Sequence, residues 1–306
     1  MKYRKRYSIA AAVCIVLALP VVIFFSREPV LVITDAPFAA LYGVERIQWE
    51  QRLASLVLFR RVIPVMVADG AGPDIIIVAV SEASSRPGFV VFPRHHAGAA
   101  ERLRQDFPEI RSILIGGRVN SSRLLYNPDT FFHIYTTDSG TDLYRAGLIA
   151  GLLANMTDNP VQEDETLTLA LWGDPSINSG YHELFSQGVR EQNPDISIII
   201  AQTLEQIPQT GTLSGVVITG SGGAEYFNRN TPIPVILFSW LDPALTSREV
   251  AVQFDDSSWG LVIPAVRMAE KGEIDGVIPS KVLIISGKVA DNGILRMARR
   301  AAKKNQ

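Results

Sequence analysis

The chain is almost without cysteine. Cys14 stands alone, inside an apolar N-terminal run, so no intrachain disulfide can form and pairing says nothing about redox compartment. Histidine is scarce as well, with four residues, and neither a His-Glu-x-x-His zinc motif nor a Gly-x-Ser-x-Gly nucleophile elbow occurs. Gly220-Ser221-Gly222-Gly223 follows an apolar run, yet Glu225 occupies the place of the third glycine of a dinucleotide fingerprint and no Gly-Lys-Ser/Thr comes after it. These absences remove the common nucleophile, zinc and nucleotide signatures, and they leave a reading with no enzyme activity, no cofactor and no metal. His95 and His96 are adjacent, so on a regular strand or helix their rings diverge and one metal does not easily take both; a solvated loop is expected there. Charge of one sign is lacking too. A net charge of −2 gives no electrostatic footprint for nucleic acid.

What is present begins with a membrane signal. Lys2, Arg4, Lys5 and Arg6 precede an uncharged run from Tyr7 to Ser26, whose apolar part, Ser8 to Phe25, is long enough to span a thin hydrocarbon core. The basic flank keeps that end in the cytoplasm and places the body outside. Phe24-Phe25-Ser26-Arg27 offers no small-residue cleavage site, and Val13 is bulky for a lipid-modified Cys14. An uncleaved single-pass N-terminal transmembrane helix, residues 1–27, in the inner membrane with a periplasmic or extracellular body, is the expectation.

The remaining chain, in a protein of 306 residues that is 47% hydrophobic, suffices for two cores. Continuous apolar runs of buried-strand type occur at Val30–Thr34, Val62–Val67, Ile75–Val80, Gly88–Phe92, Ser112–Ile115 and Phe131–Thr136. Amphipathic helices are expected over Val44–Phe59 and Ala97–Gln105. The pattern then repeats, with strands at Thr166–Trp172, Ile196–Ala201, Gly215–Thr219, Val235–Phe238, Val250–Phe254 and Lys281–Ile285, and helices at Asn178–Asn193 and Gly260–Glu270. Alternation of strands and helices predicts an α/β protein of two similar lobes with buried parallel sheets. The expected division is 28–137 with 243–275 for the first lobe, and 138–242 with 276–306 for the second. Arg296 to Lys304 forms a basic tail, read as a solvated helix face.

Between the two sets lies Thr136–Met156. Asp138 and Ser139 can cap a helix in which Gly147, Ala150, Gly151 and Ala154 share one smooth face, expected to lie close on a sheet. Two glycines there would cost roughly 1 kcal/mol each in an isolated helix, so packing must compensate.

Three segments in this order, Tyr144-Arg-Ala-Gly-Leu-Ile-Ala-Gly-Leu-Leu-Ala-Asn-Met156, a strand ending in Trp172-Gly-Asp174, and Phe185-Ser-Gln-Gly-Val-Arg-Glu-Gln-Asn-Pro194, resemble the basic membrane protein (BMP) family of extracytoplasmic solute-binding proteins. The resemblance covers roughly Phe131 to Gly272. It implies a type I periplasmic-binding-protein fold, with two Rossmann-like lobes, several hinge crossings and a small ligand held between them. It also implies an ABC transporter permease as partner, and, from members related to nucleoside binders, aspartates for ribose hydroxyls and aromatics for the base. Asp35-Ala-Pro-Phe38 keeps the Asp and Phe of one family element without its amide, and Trp240-Leu-Asp-Pro243 keeps one aspartate of another.

Carboxylates suit hydroxyl-rich ligands because each accepts several hydrogen bonds, and aromatic faces cover a ring. The candidate ligand-binding residues are therefore those at expected strand ends and hinges: Asp35, Phe38, Asp138, Trp172, Asp174, Trp240, Asp242, Asp256 and Trp259. Asp138, Asp174 and Asp256 also suit helix caps, and Trp172 and Trp259 also suit lobe core. A nucleoside or sugar-like ligand, a receptor nearer the transcription-regulator relatives of the fold, and a binding-dead interaction module all remain open at this point.

Overall fold

A computed structural model describes residues 20–118, 129–155, 167–173, 179–201, 203–207, 213–219, 235–238 and 250–285. The first sheet holds β1 (Val30–Asp35), β2 (Val62–Val67), β3 (Phe89–Pro93), β4 (Arg111–Arg118), β5 (Phe132–Thr137) and β11 (Asp275–Ile278) in the order β11-β5-β4-β3-β1-β2, all parallel. The second holds β6 (Thr168–Gly173), β7 (Ser197–Ala201), β8 (Leu213–Thr219), β9 (Val235–Phe238), β10 (Val250–Asp255) and β12 (Lys281–Ile284) in the order β12-β10-β9-β8-β6-β7. Only β12 runs antiparallel among its described strands. The described α-helices after residue 30 are α1 (Ala36–Tyr42), α2 (Val44–Leu58), α3 (Pro73–Ala83), α4 (Ala97–Asp106), α5 (Ser139–Ala154), α6 (Ser179–Gln192) and α7 (Ser258–Glu270).

Burial on both faces explains why the strands read as unbroken apolar runs. In β1, Val30 and Val32 pack with α2 and α7, while Leu31 and Ile33 pack on the other face with α3 and α4. The second sheet packs one face against α5 and α6 through Leu169, Leu171, Val217 and Ile236. Its other face carries Ala170, Trp172, Val216 and Ile218.

Several expectations are corrected by this arrangement. Ile75–Val80, read as a strand, lies in helix α3. Pro73 and Asp74 suit its first turn, Ile76 and Val80 are buried one turn apart, and Ile75 and Val78 face solvent. A parallel β2–β3 connection also calls for such a crossover helix. Gly147 and Gly151 do not face a sheet. They meet α6, where a Cβ on Gly147 would stand 2.2 Å from the carbonyl oxygen of Phe185. Strand β10, expected in the first lobe, pairs with β9 and β12 in the second sheet, and β11, expected in the second lobe, pairs with β5 in the first. Among the described residues no helix is long and apolar enough to cross a membrane. Most of the expected span lies outside the described residues; its end, 20–26, is helical.

The chain passes between lobes at three described places: Thr137 to Ser139, Asp255 to Ser258, and Ile278 to Lys281. They lie side by side. The amide of Asp138 donates to the carbonyl of Ile278 at 3.1 Å, and Asp255 pairs in register with Lys281.

Candidate functional site

In an open α/β sheet, ligands meet the carboxyl ends of the strands. At that edge of the first sheet is a cavity of about 200 Å³, walled by Asp35 and Phe38 after β1, by Pro93 to His95 after β3, by Ile115 and Gly116 of β4, and by Asp256 to Trp259 of the second crossing. Gly116 has a φ of +110° where the β4–β5 pairing slips register, so glycine is required at this bend in the wall. A larger concavity, about 1020 Å³, opens at the opposite edge between Arg27, Arg60, Arg111 and Glu270. That edge carries the amino ends of the strands, and we place the candidate site at the smaller cavity.

The sequence-derived residues divide. Asp35, Phe38, Asp256 and Trp259 are brought together on the cavity. Asp256 is exposed, and Phe38 stacks on Tyr42 with ring centroids 4.9 Å apart. Trp259 is buried in the core between β1 and α7 and donates its indole N–H to Thr34 Oγ1 at 3.0 Å, so it belongs to both core and wall. Asp138 caps α5, accepting from the amide of Thr141 at 2.9 Å, and Trp172 is packed in the second lobe's core. Neither lines this cavity. Asp174, Trp240 and Asp242 lie outside the described residues, as do Gly220–Gly223 and the basic tail.

His95 and His96, expected in a solvated loop, sit instead on this wall and behind it. After β3 the chain makes a single 3-10 turn, Arg94–His96, which brings both imidazoles to one side with centroids 4.3 Å apart. His95 Nε2 lies 2.7 Å from Asp35 Oδ2, and His96 Nε2 lies 2.6 Å from Asp35 Oδ1. The β1–β3 register pairs Val32 with Val91, which puts Asp35 level with Arg94, so the strand alignment would have revealed this meeting. The expectation that adjacent histidines diverge fails because the turn is neither strand nor α-helix.

Beside the cavity, the hinge is tied by charge. Asp255 is fully buried at the end of β10; Tyr42 donates its hydroxyl to Oδ2 at 2.8 Å and Arg46 pairs with the same oxygen at 2.6 Å. Burial, with Asp255 adding to it, pushes the Tyr42 hydroxyl far above its usual range, so it stays a proton donor. Glu50 of α2 pairs with Lys281 of β12, a second tie between lobes. At the third crossing both oxygens of Asp142 accept from the amide of Ser280 at 3.0 Å, while Arg145 donates to Asp142 and to the Ser280 carbonyl, each at 3.2 Å. Burial raises Asp142 to about 6 despite these bonds and lowers Arg145.

No protein-family model matches the chain, and no curated protein matches it. Solved structures do. An ABC transporter system solute-binding protein from Conexibacter woesei DSM 14684 is 16% identical, with 92% of this chain and 98% of that chain covered and a TM-score of 0.54. A transcriptional activator of the comK gene from Bacillus halodurans is 11% identical over 91% and 97%, with a TM-score of 0.56. An ABC transporter system solute-binding protein from Aeropyrum pernix K1 is 13% identical over 91% of each chain, with a TM-score of 0.51. At such identities the likeness establishes the fold, that of the type I periplasmic-binding proteins: two parallel-sheet α/β lobes joined by repeated crossings.

Proposed function

We propose that the protein is an extracytoplasmic solute-binding receptor of the basic membrane protein kind, tethered to the inner membrane by its N-terminal segment, whose lobes close on a nucleoside and pass it to an ABC transporter. The observation that carries this reading is the cavity at the carboxyl edge of the first sheet, beside the crossings about which two lobes would move. It gathers the exposed carboxylate of Asp256, the carboxylate of Asp35 shared with His95 and His96, and the ring of Phe38, with Trp259 buried in the wall: acceptors for hydroxyls and an aromatic surface for a flat base. Two of the structural neighbours named above are ABC transporter solute-binding proteins and the third is a transcription regulator; none is an enzyme. Tethering is supported by the uncharged run before Ser26 and by Val21, Val22 and Phe25, which remain exposed at its described end.

A sugar is the second reading, favoured by size. At about 200 Å³ the first lobe's cavity is below the ~300–1,000 Å³ common for drug-sized ligands. Thermal unfolding of the full-length chain against a panel of purine nucleosides and monosaccharides tests both. Stabilisation by a member of one class, reduced in Asp256→Asn, supports the reading and selects the class. An unmoved transition across the whole panel refutes it.

A further inference from the structure

We infer that Asp35, His95 and His96 form a binding site for a divalent transition-metal ion such as Zn²⁺, with its open coordination positions facing the cavity. One ligand atom from each residue, a carboxylate oxygen and a nitrogen of each imidazole, all lie within 4.8 Å of one another, and Nε2 is the nitrogen that meets the carboxylate in both rings. Two histidines and one carboxylate are a donor set that zinc and its neighbours take readily, with zinc bonds of about 2.0–2.2 Å. Ligand atoms around a tetrahedral ion then stand roughly 3.3 Å apart. His95 Nε2 and His96 Nε2, now 2.7 and 2.6 Å from separate oxygens of Asp35, would each stand about 0.6 Å farther from a carboxylate oxygen that shared the ion with them.

Two features favour an ion over a hydrogen-bonded cluster of purely structural use. Asp35 stands at the N-cap position of α1, where an aspartate ordinarily accepts from the helix amides, yet its side chain makes no capping bond and both oxygens turn to the imidazoles. The two rings lie beside one another on a single carboxylate, with centroids 4.3 Å apart, so a ligand atom from each of the three residues converges on one small volume. Asp35 and His95 line the cavity, whereas His96 lies buried behind them, so an ion among the three presents its free side to the cavity. His95 is more than half exposed and leaves a path of entry. Arg94, on the same wall, opposes the cation electrostatically and would favour an anionic or hydroxyl-bearing group as the outer ligand. The site is complete within the first lobe, so it depends neither on lobe closure nor on the identity of the solute.

The test is calorimetric titration of the full-length, chelator-stripped chain, carrying no polyhistidine tag, with Zn²⁺ alone. One equivalent is expected in the low micromolar range or tighter. His95→Ala, His96→Ala and Asp35→Asn should each weaken it by about tenfold or more. His182→Ala, in α6, should leave affinity and stoichiometry unchanged. His95→Ala removes an exposed side chain, so misfolding cannot imitate the result, and circular dichroism of each variant confirms the fold. Absence of a stoichiometric Zn²⁺ isotherm in the wild-type chain overturns the inference, as does binding that survives both histidine substitutions.

Discussion

Replacing Gly188 with alanine should destabilise the second lobe by about 2 kcal/mol, although alanine is the better helix former. A Cβ at Gly188 would stand 2.2 Å from the carbonyl oxygen of Tyr144 and 2.9 Å from the amide nitrogen of Leu148, both on the backbone of α5. Carbon and oxygen rest no closer than about 3.3 Å even in favourable C–H···O contacts. The obstruction is main chain on both sides, so no rotamer change relieves it, and the helices must part by about 1 Å. Overpacking of this kind costs about 1–3 kcal/mol, and parting the helices also loosens Phe185 and Val189 against α5, while the intrinsic gain of alanine over glycine is about 1 kcal/mol. Gly180→Ala supplies the control within α6, since nothing lies within 4 Å of its Cβ; it should be neutral or stabilise by up to about 1 kcal/mol. Urea unfolding followed by circular dichroism separates the two. If Gly188→Ala unfolds at the same urea concentration as wild type, α5 and α6 cannot approach as described.

Asp255→Asn should cost about 3 kcal/mol, because it removes the buried carboxylate charge that pairs with Arg46 and accepts from Tyr42; a double-mutant cycle with Arg46→Met should recover part of the loss, and strict additivity would refute the pairing. Asp142 has a folded-state pKa of about 6 against an ordinary 3.8, so folding takes up a proton between those values and this group's contribution falls as pH rises through them. Relative to wild type, Asp142→Asn should therefore gain roughly 2 kcal/mol between pH 4 and pH 7, measured by unfolding at each pH; parallel profiles would contradict the assignment. On α3, Ile75→Glu should change stability by less than about 0.5 kcal/mol and Ile76→Glu should unfold the first lobe, whereas a strand would still place these neighbours on opposite faces but would bury Ile75 and Ile77 together or not at all.

The strands were legible because parallel strands covered on both faces leave continuous apolar runs, as in β1, β8 and β10, where every residue is buried. The same rule misled at Ile75–Val80, whose β-branched side chains resemble a strand until the chain connection is known to require a helix. Lobe membership was less legible, since the apolar face of β10 would fit either sheet and its neighbours decide. Strand β11 escaped notice because it is short and partly exposed. At the site, Asp35, Phe38, Asp256 and Trp259 stood out by following strand ends, a local property. The meeting of Asp35 with His95 and His96 depends on the alignment of β1 with β3, separated in sequence by α1, α2, β2 and α3, and no local pattern records it.

The placement of β11 and β12 bears on how the chain is made. Among the described strands, each sheet receives one of its six from a single short stretch, Asp275 to Ile284, with β11 at one end of the order in the first and β12 at one end of the order in the second. As the polypeptide emerges from the ribosome, the earlier half must wait through the synthesis of nearly the whole later half for α7 and β11. During that interval it presents the open side of β5, a template for unwanted strand pairing. Release of a stalled chain just before Asp275 would therefore leave two aggregation-prone bodies instead of one finished and one missing.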